Sequence, residues 1–490
     1  MQIRVLVDNR VRVEGILKLG RPVVTELRSA FEHDNPDWIK KKRMRLATWS
    51  TPRTIVTWSN REDPNVMSFP RGGLGKVLRI LSDAGFDTEV KDLRQYGVEC
   101  PTLEHRRVLY PYQVDLVSKA IEMEQCIVRA PTGSGKTTAL LAIAAQVRVP
   151  TLVIVHSKAL LKQWEERVVS ELGIEERNIG IIQGKKFDLR PITLSIQKTL
   201  SEVAAKSEEV RNYFGCVIAD ECHMFGARTF IESVDPFPAR YRIGASADHR
   251  RKDRKEFLIH DLFGDVAADI SRDSLIKSQH VLDVEIRMIP TTFAAPWYGF
   301  SDDKNAEVKI DFVRLVKEMA EDPARNWEIF RIVRDEVAAG EQVLVMCHER
   351  EHCMRIAQAL TGMGIRAGHL LGGPESAKEF EQTVEDLKSK KLKVGVGTYK
   401  AIGTGIDIPA VGVAVAATPI ASNQQFFGQV RGRVCRISKG KTTARLYVMW
   451  DSNVYERHLK NVITWNNLVV VRDEAGAWIP ATTYIKDLGI

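Results

Sequence analysis

No stretch of this 490-residue chain approaches the roughly 20 consecutive apolar residues that a membrane-spanning helix needs, so no membrane partner is expected. Cysteine is also scarce. There are seven, scattered and odd in number, with no Cys-x-x-Cys pair. That argues against a disulfide framework and predicts reduced thiols in an intracellular, cytoplasmic setting. Cys347-His348-Glu349-Arg350-Glu351-His352-Cys353 gathers metal-ligand types, but no second pair lies at zinc-module spacing, and it reads as a strand-end turn from which His348 could face nucleic acid. Arg4 puts charge too early for a secretory signal, and there is no internal repeat or low-complexity segment. Charge of one sign is not in large excess. Lys and Arg number 71 against 63 Asp and Glu, for a net charge of +8 and a sequence pI near 9.0. A basic balance favours a polyanionic partner, weakly at this length.

What is present begins with Ala130-Pro131-Thr132-Gly133-Ser134-Gly135-Lys136-Thr137. It follows the apolar run Cys126-Ile127-Val128 and leads into a helical stretch from Thr138 to Ala145. Strand, glycine-rich loop and helix together define a phosphate-binding loop, in which backbone N–H groups turn towards phosphate oxygens. Ala130 stands where the strict pattern has Gly. Pro131, Thr132, Gly133, Ser134, Gly135 and Thr138 would line a bound nucleotide. Lys136 would reach its outer phosphates, and the Thr137 hydroxyl would hold Mg²⁺. Upstream, Pro111-Tyr112-Gln113 opens a helix, and the Gln113 amide can both donate and accept towards an adenine edge.

Cys216-Val217-Ile218-Ala219 runs into Asp220-Glu221-Cys222-His223. Asp220 would bind Mg²⁺, and Glu221 would orient and deprotonate a water. Other apolar strands also end in polar residues, at Ser157 and Lys158, at Ser195 and Gln197, and at Gly244 to Asp248. Strands alternating with helices predict a parallel sheet whose ligands sit at the carboxyl ends. From about 281 the pattern restarts without a second phosphate loop, through strands at 342–346, 392–398 and 411–416 to Gln429-Val-Arg-Gly-Arg433-Val-Cys-Arg436.

Residues 1–100 read as a separate small α/β domain holding eighteen basic and thirteen acidic residues. Lys40, Lys41, Lys42, Arg43 and Arg45 cluster in six positions, flanked by Trp38, Trp49, Trp58 and Phe69. Such a cluster can neutralise phosphates and stack on bases, or can be a solvated basic turn over core tryptophans. Gly97 to Arg107 reads as a linker.

Together these motifs, from about 109 to 450, resemble the superfamily 2 helicases and translocases. The resemblance implies two RecA-like parallel-sheet lobes in tandem, at 101–280 and 281–490, behind an N-terminal DNA-binding domain, an α/β architecture throughout. It makes Lys136, Asp220, Glu221, Gln429, Arg433 and Arg436 the catalytic set, the two arginines acting as fingers on the phosphates. It adds Gly405 and Asp407 to the nucleotide contacts, and Ser157, Lys158, Gln197 and Thr398 to the nucleic-acid contacts. Pro-Tyr-Gln, Ile-Ala-Asp-Glu-Cys-His and Arg251-Lys252-Asp253 look closest to the branch of XPB-type and phage UvsW-type helicases. Leu27, Arg28, Phe31, a basic-aromatic hairpin and Phe69-Pro70-Arg71-Gly72-Gly73-Leu74 resemble the UvsW-type N-terminal domain. Asp248 departs from the Thr or small residue that usually ends motif III. The second motif reads D-E-C-H rather than D-E-A-H, one small residue for another.

The resemblance implies an ATP- and Mg²⁺-dependent DNA helicase, working as a monomeric motor on branched, forked or double-stranded DNA. Branch migration, fork remodelling and unwinding of recombination or repair intermediates and R-loops would fit, with other replication or recombination proteins as partners. An RNA helicase, a restriction-type duplex translocase and a non-enzymatic ATP-gated clamp remain as alternatives.

Overall fold

In Gln2–Val7 and Arg10–Glu14 every second side chain is buried, the period of a strand with one covered face. These strands build a four-stranded sheet ordered Val66–Pro70, Arg10–Glu14, Gln2–Val7, Asp87–Asp92. Only the last pair is parallel. Helices Arg21–Ser29 and Leu74–Asp83 supply Leu27, Val77 and Leu81 to its core, beside Phe31, Met67 and Phe69. This computed structural model describes residues 2–184, 186–225, 227–247, 253–297, 311–403, 408–420, 424–438, 440–451, 454, 456–466 and 468–487. They divide into two units, Met1–Pro131 with Gly135–Ser271, and Thr132–Ser134 with Arg272–Ile490.

The basic run expected as part of a hairpin is instead the last turn of a helix, Pro36–Arg43. The reason is local. Asn35 caps it, its Oδ1 accepting from the Asp37 N–H at 3.0 Å, and Pro36 occupies the first turn. Lysines and arginine at the C-terminal end suit the helix dipole. The strand pairing lies outside the run, where Glu32–Asp34 pairs antiparallel with Thr54–Val56 and closes the base of the excursion.

An eight-stranded sheet follows, ordered Lys186–Phe187, Gly180–Gln183, Ile192–Ile196, Thr151–Val155, Cys216–Asp220, Tyr241–Ser246, Gln125–Arg129, Val266–Asp269. All pairs are parallel except the first. Thr151–Val155 and Cys216–Asp220 are buried at every position because two apolar clusters cover the two faces. The strand exits that carry the candidate residues therefore share one edge.

The small sheet and this large one are fastened within the same unit. Arg71, 1% exposed, donates Nη1 to the Ala239 carbonyl at 2.6 Å and the Asp8 carbonyl at 3.1 Å, and Nε to Gln125. Arg242 donates Nη2 to the Phe237 carbonyl at 2.6 Å and the Asn9 carbonyl at 3.0 Å. Burial pulls both guanidinium pKa values down, that of Arg242 to about 10. Arg10 pairs with Asp235 at 2.6 Å, and His33 Nε2 lies 3.0 Å from Asp261.

The second unit has its own eight-stranded sheet, ordered Ala367–Leu370, Val394–Thr398, Val343–Cys347, Val413–Ala416, Arg445–Trp450, Glu285–Pro290, Val469–Arg472, Trp478–Pro480. It too is parallel but for its last pair. Val469–Arg472 and Trp478–Pro480 are the two strands that end this sheet. Helices Pro323–Ala338 and Arg350–Gly362 bury Ile329, Val333, Ile356 and Leu360 against it.

Candidate active site

The strand Gln125–Arg129 delivers the loop, and the helix Lys136–Val147 begins at its lysine. Gly133 and Gly135 have φ of 92° and 73°, left-handed values that residues with a Cβ rarely adopt. Gly135 is further constrained, since a Cβ there would lie 2.4 Å from Gln113 Nε2. The helix that follows is buried from Thr138 to Ala145, which fixes the direction of its N-terminus.

Lys136 Nζ donates to Glu221 Oε1 at 2.6 Å and lies 3.3 Å from Asp220 Oδ1. Asp220, 2% exposed, is held from its other side, where Oδ2 accepts from Trp164 Nε1 at 3.0 Å. Its Oδ1 also accepts the Glu221 N–H at 2.9 Å. Glu221 itself sits at φ 50°, a left-handed conformation costing on the order of 1 kcal/mol that turns the chain out of its strand. His223 Nδ1 lies 2.6 Å from Ser246 Oγ and 3.4 Å from Glu221 Oε2. Burial opposes charge on Lys136, but Glu221 and Asp220 outweigh it and raise its pKa. Burial likewise pushes Glu221 up, yet Lys136 and His223 bring it down to about 2, so it is a carboxylate at neutral pH. Asp220 is shifted up by its burial, with Lys136 opposing. His156, at the exit of a neighbouring strand, has both ring nitrogens buried without a partner, and burial lowers its pKa.

This donor set suits a nucleoside triphosphate with a divalent cation. The Lys136 ammonium and the loop N–H groups match phosphate oxygens, and the Thr137 hydroxyl and Asp220 carboxylate match the hard oxygen ligation of Mg²⁺.

Other expected residues have local partners. Gln113 is buried; its Oε1 accepts the Tyr110 N–H at 2.9 Å and its Nε2 donates to the Gly135 carbonyl at 3.3 Å. It links its own helix start to the phosphate loop. Thr138 Oγ1 donates to Glu171 at 3.2 Å, a buried acid that draws on Arg167 and His105 as well. Gln197 is buried and donates to Thr229, a strut inside the unit in place of a surface group. Ser157 Oγ caps the next helix by accepting from the Leu160 N–H at 3.3 Å, and Lys158 beside it is exposed. Lys40, Lys42, Arg43 and Arg45 are exposed. In the second unit, Thr398 Oγ1 accepts from the Ala401 N–H at 3.3 Å, and Arg433 donates to the Gly403 carbonyl. Gln429 lies in the helix Gln424–Arg431, and Arg436 follows it. His348 Nε2 lies 2.8 Å from the Pro419 carbonyl. Gly405, Asp407, Asp248, Arg251 and Lys252 fall outside the described residues. The residue least visible in the sequence is Trp164, although a buried indole needs a partner for its N–H and here finds Asp220.

Fold and site define a phosphate-loop protein with two RecA-like lobes. Two family matches agree, "Type III restriction enzyme, res subunit" over residues 106–251 and "Helicase conserved C-terminal domain" over 327–438. The chain is 31% identical over 368 residues to the DNA 3'-5' translocase XPB2 of Sulfurisphaera tokodaii, covering 69% of this chain and 80% of that one. It therefore belongs to the superfamily 2 helicases, in the XPB-like branch. It spans between 57% and 68% of the length of the first curated relatives it matches. A fragment of a putative HsdR subunit of a type I restriction enzyme from Vibrio vulnificus YJ016 shares the fold, with a TM-score of 0.54 at 15% identity over 84% of this chain and 79% of that one. T4 UvsW aligns over 96% of this chain and 99% of its own at 16% identity with a TM-score of 0.44.

Proposed function

We propose that this protein is an ATP-driven helicase or translocase acting on branched or forked DNA, R-loops included. The observation that carries the reading is the cluster of Lys136, Asp220 and Glu221 at adjoining ends of one parallel sheet, a lysine for phosphate beside one acid for metal and one for water. Mg²⁺, when bound, neutralises charge on the phosphates. Lys136 exchanges its two carboxylate partners for phosphate oxygens as nucleotide enters, and Glu221, ionised at neutral pH, is then released to accept a proton from water. Trp164 and the Glu221 N–H keep Asp220 oriented. Arg433 and Arg436 are the proposed phosphate fingers of the second lobe. Grip on DNA phosphates by the exposed basic residues is largely independent of base sequence and weakens with salt.

The test is ATP hydrolysis by wild type and Glu221→Gln, with no nucleic acid, single-stranded DNA, forked DNA and RNA. Strongest stimulation by forked DNA, absent in the variant, is the expected result. Stimulation mainly by RNA would move the protein to RNA substrates, and no hydrolysis at all would leave an ATP-gated clamp.

A further inference from the structure

From Trp38 to Arg53 inclusive, the excursion between Glu32–Asp34 and Thr54–Val56 carries six basic residues and no acid, and Asp37 just before that span is paired with Lys255 at 2.7 Å. Its base is fixed. Asn35, 4% exposed, donates Nδ2 to the Pro52 carbonyl at 2.8 Å and its N–H to the Arg53 carbonyl at 2.9 Å. Lys41 Nζ donates to Thr51 Oγ1 at 2.6 Å, and the Leu46 N–H donates to the Lys41 carbonyl at 2.9 Å. The Thr51 N–H closes the turn by donating to the Thr48 carbonyl at 2.9 Å. Trp38 is used inside this scaffold, with Lys42 Nζ 4.9 Å and Arg53 Cζ 5.7 Å from its ring centroid.

Trp49 is not used that way. It is 90% exposed, and Ile39, Met44 and Leu46 on the same excursion are exposed by 49%, 53% and 54%. Tryptophan is among the more buried residues on average, and single exposed apolar side chains are ordinary, but this group on one pinned segment marks a contact surface. Six cations on the same segment favour a polyanionic partner. The most exposed apolar group is a flat indole on a loop outside the helix, which fits one flat partner better than a lipid surface, where an apolar stripe along a helix is wanted. Bases inside a duplex present no free face. A base at a strand junction does.

We infer that Trp49 stacks on the base exposed where a duplex opens at a branch point, while Lys40, Lys42, Arg43 and Arg45 hold the flanking phosphates. The inference rests on the DNA reading above and names the structure within DNA that the excursion recognises.

The test uses the full chain without nucleotide. Binding of forked DNA and of a blunt duplex of equal length is measured for wild type, Trp49→Ala and Trp49→Phe, with 2-aminopurine at the first unpaired position of the fork. Trp49→Ala is expected to lose about tenfold in fork affinity, within the range of one base–aromatic stack, with duplex affinity kept within about twofold. It should also lose the 2-aminopurine quenching, and Trp49→Phe should restore most of both. Equal losses on fork and duplex, or no loss on either, would overturn the inference. So would wild-type binding to phosphatidylserine vesicles that Trp49→Ala loses while its DNA affinities stay unchanged. Hydrolysis that no DNA stimulates would sink the motor reading separately, because the binding comparison needs no ATP.

Discussion

His223 and Ser246, on neighbouring strands' exits, meet at 2.6 Å between Nδ1 and Oγ. The strand that ends in Ser246 pairs in register with the one that ends in Asp220, so the contact follows from the sheet. His223 also lies 3.4 Å from Glu221. Ser246 therefore acts on the proposed base through the imidazole. Ser246→Ala removes the hydrogen bond to His223, worth about 1 kcal/mol, and a loss of about fivefold in kcat for DNA-stimulated ATP hydrolysis is expected with KM for ATP unchanged. Steady-state kinetics at saturating DNA check it. An equal change confined to KM would place Ser246 in nucleotide binding instead.

A second prediction concerns the join between the two sheets of the first unit. A Cβ on Gly72 would lie 2.2 Å from the His260 carbonyl oxygen and 2.5 Å from the Gly264 nitrogen, both backbone atoms that cannot rotate away. Gly72→Ala should cost about 1–3 kcal/mol, read as a lower midpoint in urea unfolding. Gly75→Ala, where the same construction meets nothing within 4 Å in a helix, should be neutral or slightly stabilising.

These glycines show what was legible in the sequence and what was not. Phe69-Pro70-Arg71-Gly72-Gly73-Leu74 could be matched to a family, but its physical meaning needs the partners. Arg71 reaches the Asp8 carbonyl in a turn of the small sheet and the Ala239 carbonyl just before a strand of the large one, a Cβ on Gly72 would meet the His260 carbonyl oxygen, and a Cβ on Gly73 would strike the Phe31 ring at 2.3 Å. The phosphate loop and the two acids were readable because their spacing is local and their chemistry is fixed by strand exits. The antiparallel pair that brackets the basic run fits the basic-aromatic hairpin, while the helix inside it is signalled locally by Asn35-Pro36 directly before the charges. For Thr138, Gln113 and Gln197, nothing in one dimension reveals that Glu171, Gly135 and Thr229 stand next to them.

A third prediction follows from Asp92 at the end of the small sheet. Arg94 donates to both its oxygens, at 2.9 and 2.7 Å, and Arg240 donates to Oδ2 at 2.8 Å. The Arg94 hydrogen bonds are the main reason its pKa falls from the ordinary value of 3.8 to about 2. A depressed carboxyl adds stability above the unfolded-state pKa and loses it as pH falls through the folded one. Asp92→Asn should therefore melt a few degrees or less below wild type at pH 7, since the group is partly exposed, and the gap should close between about pH 4 and pH 2. Thermal melts across that range check the sign. A gap that widens on acidification would show that Asp92 is not held charged by the arginines.

Orientation of Asp220, the proposed Mg²⁺ ligand, can be separated from its presence. Trp164 is fully buried, and its indole N–H donates to Asp220 Oδ2 at 3.0 Å while Lys136 and the Glu221 N–H face Oδ1. Trp164→Phe keeps an aromatic ring in the core and removes only that donor and part of the volume. Without it the carboxylate loses one of the contacts that lower its pKa and fix its plane. Partners of this kind behind a metal ligand commonly contribute 10- to 100-fold in metal affinity. The Mg²⁺ concentration for half-maximal ATP hydrolysis should therefore rise by about tenfold or more, with kcat at saturating Mg²⁺ falling less. Titration of Mg²⁺ at fixed ATP, beside a thermal melt to show the fold is kept, distinguishes the cases. A fall in kcat with the Mg²⁺ midpoint unmoved would mean that Trp164 serves Glu221 and the water instead of the metal.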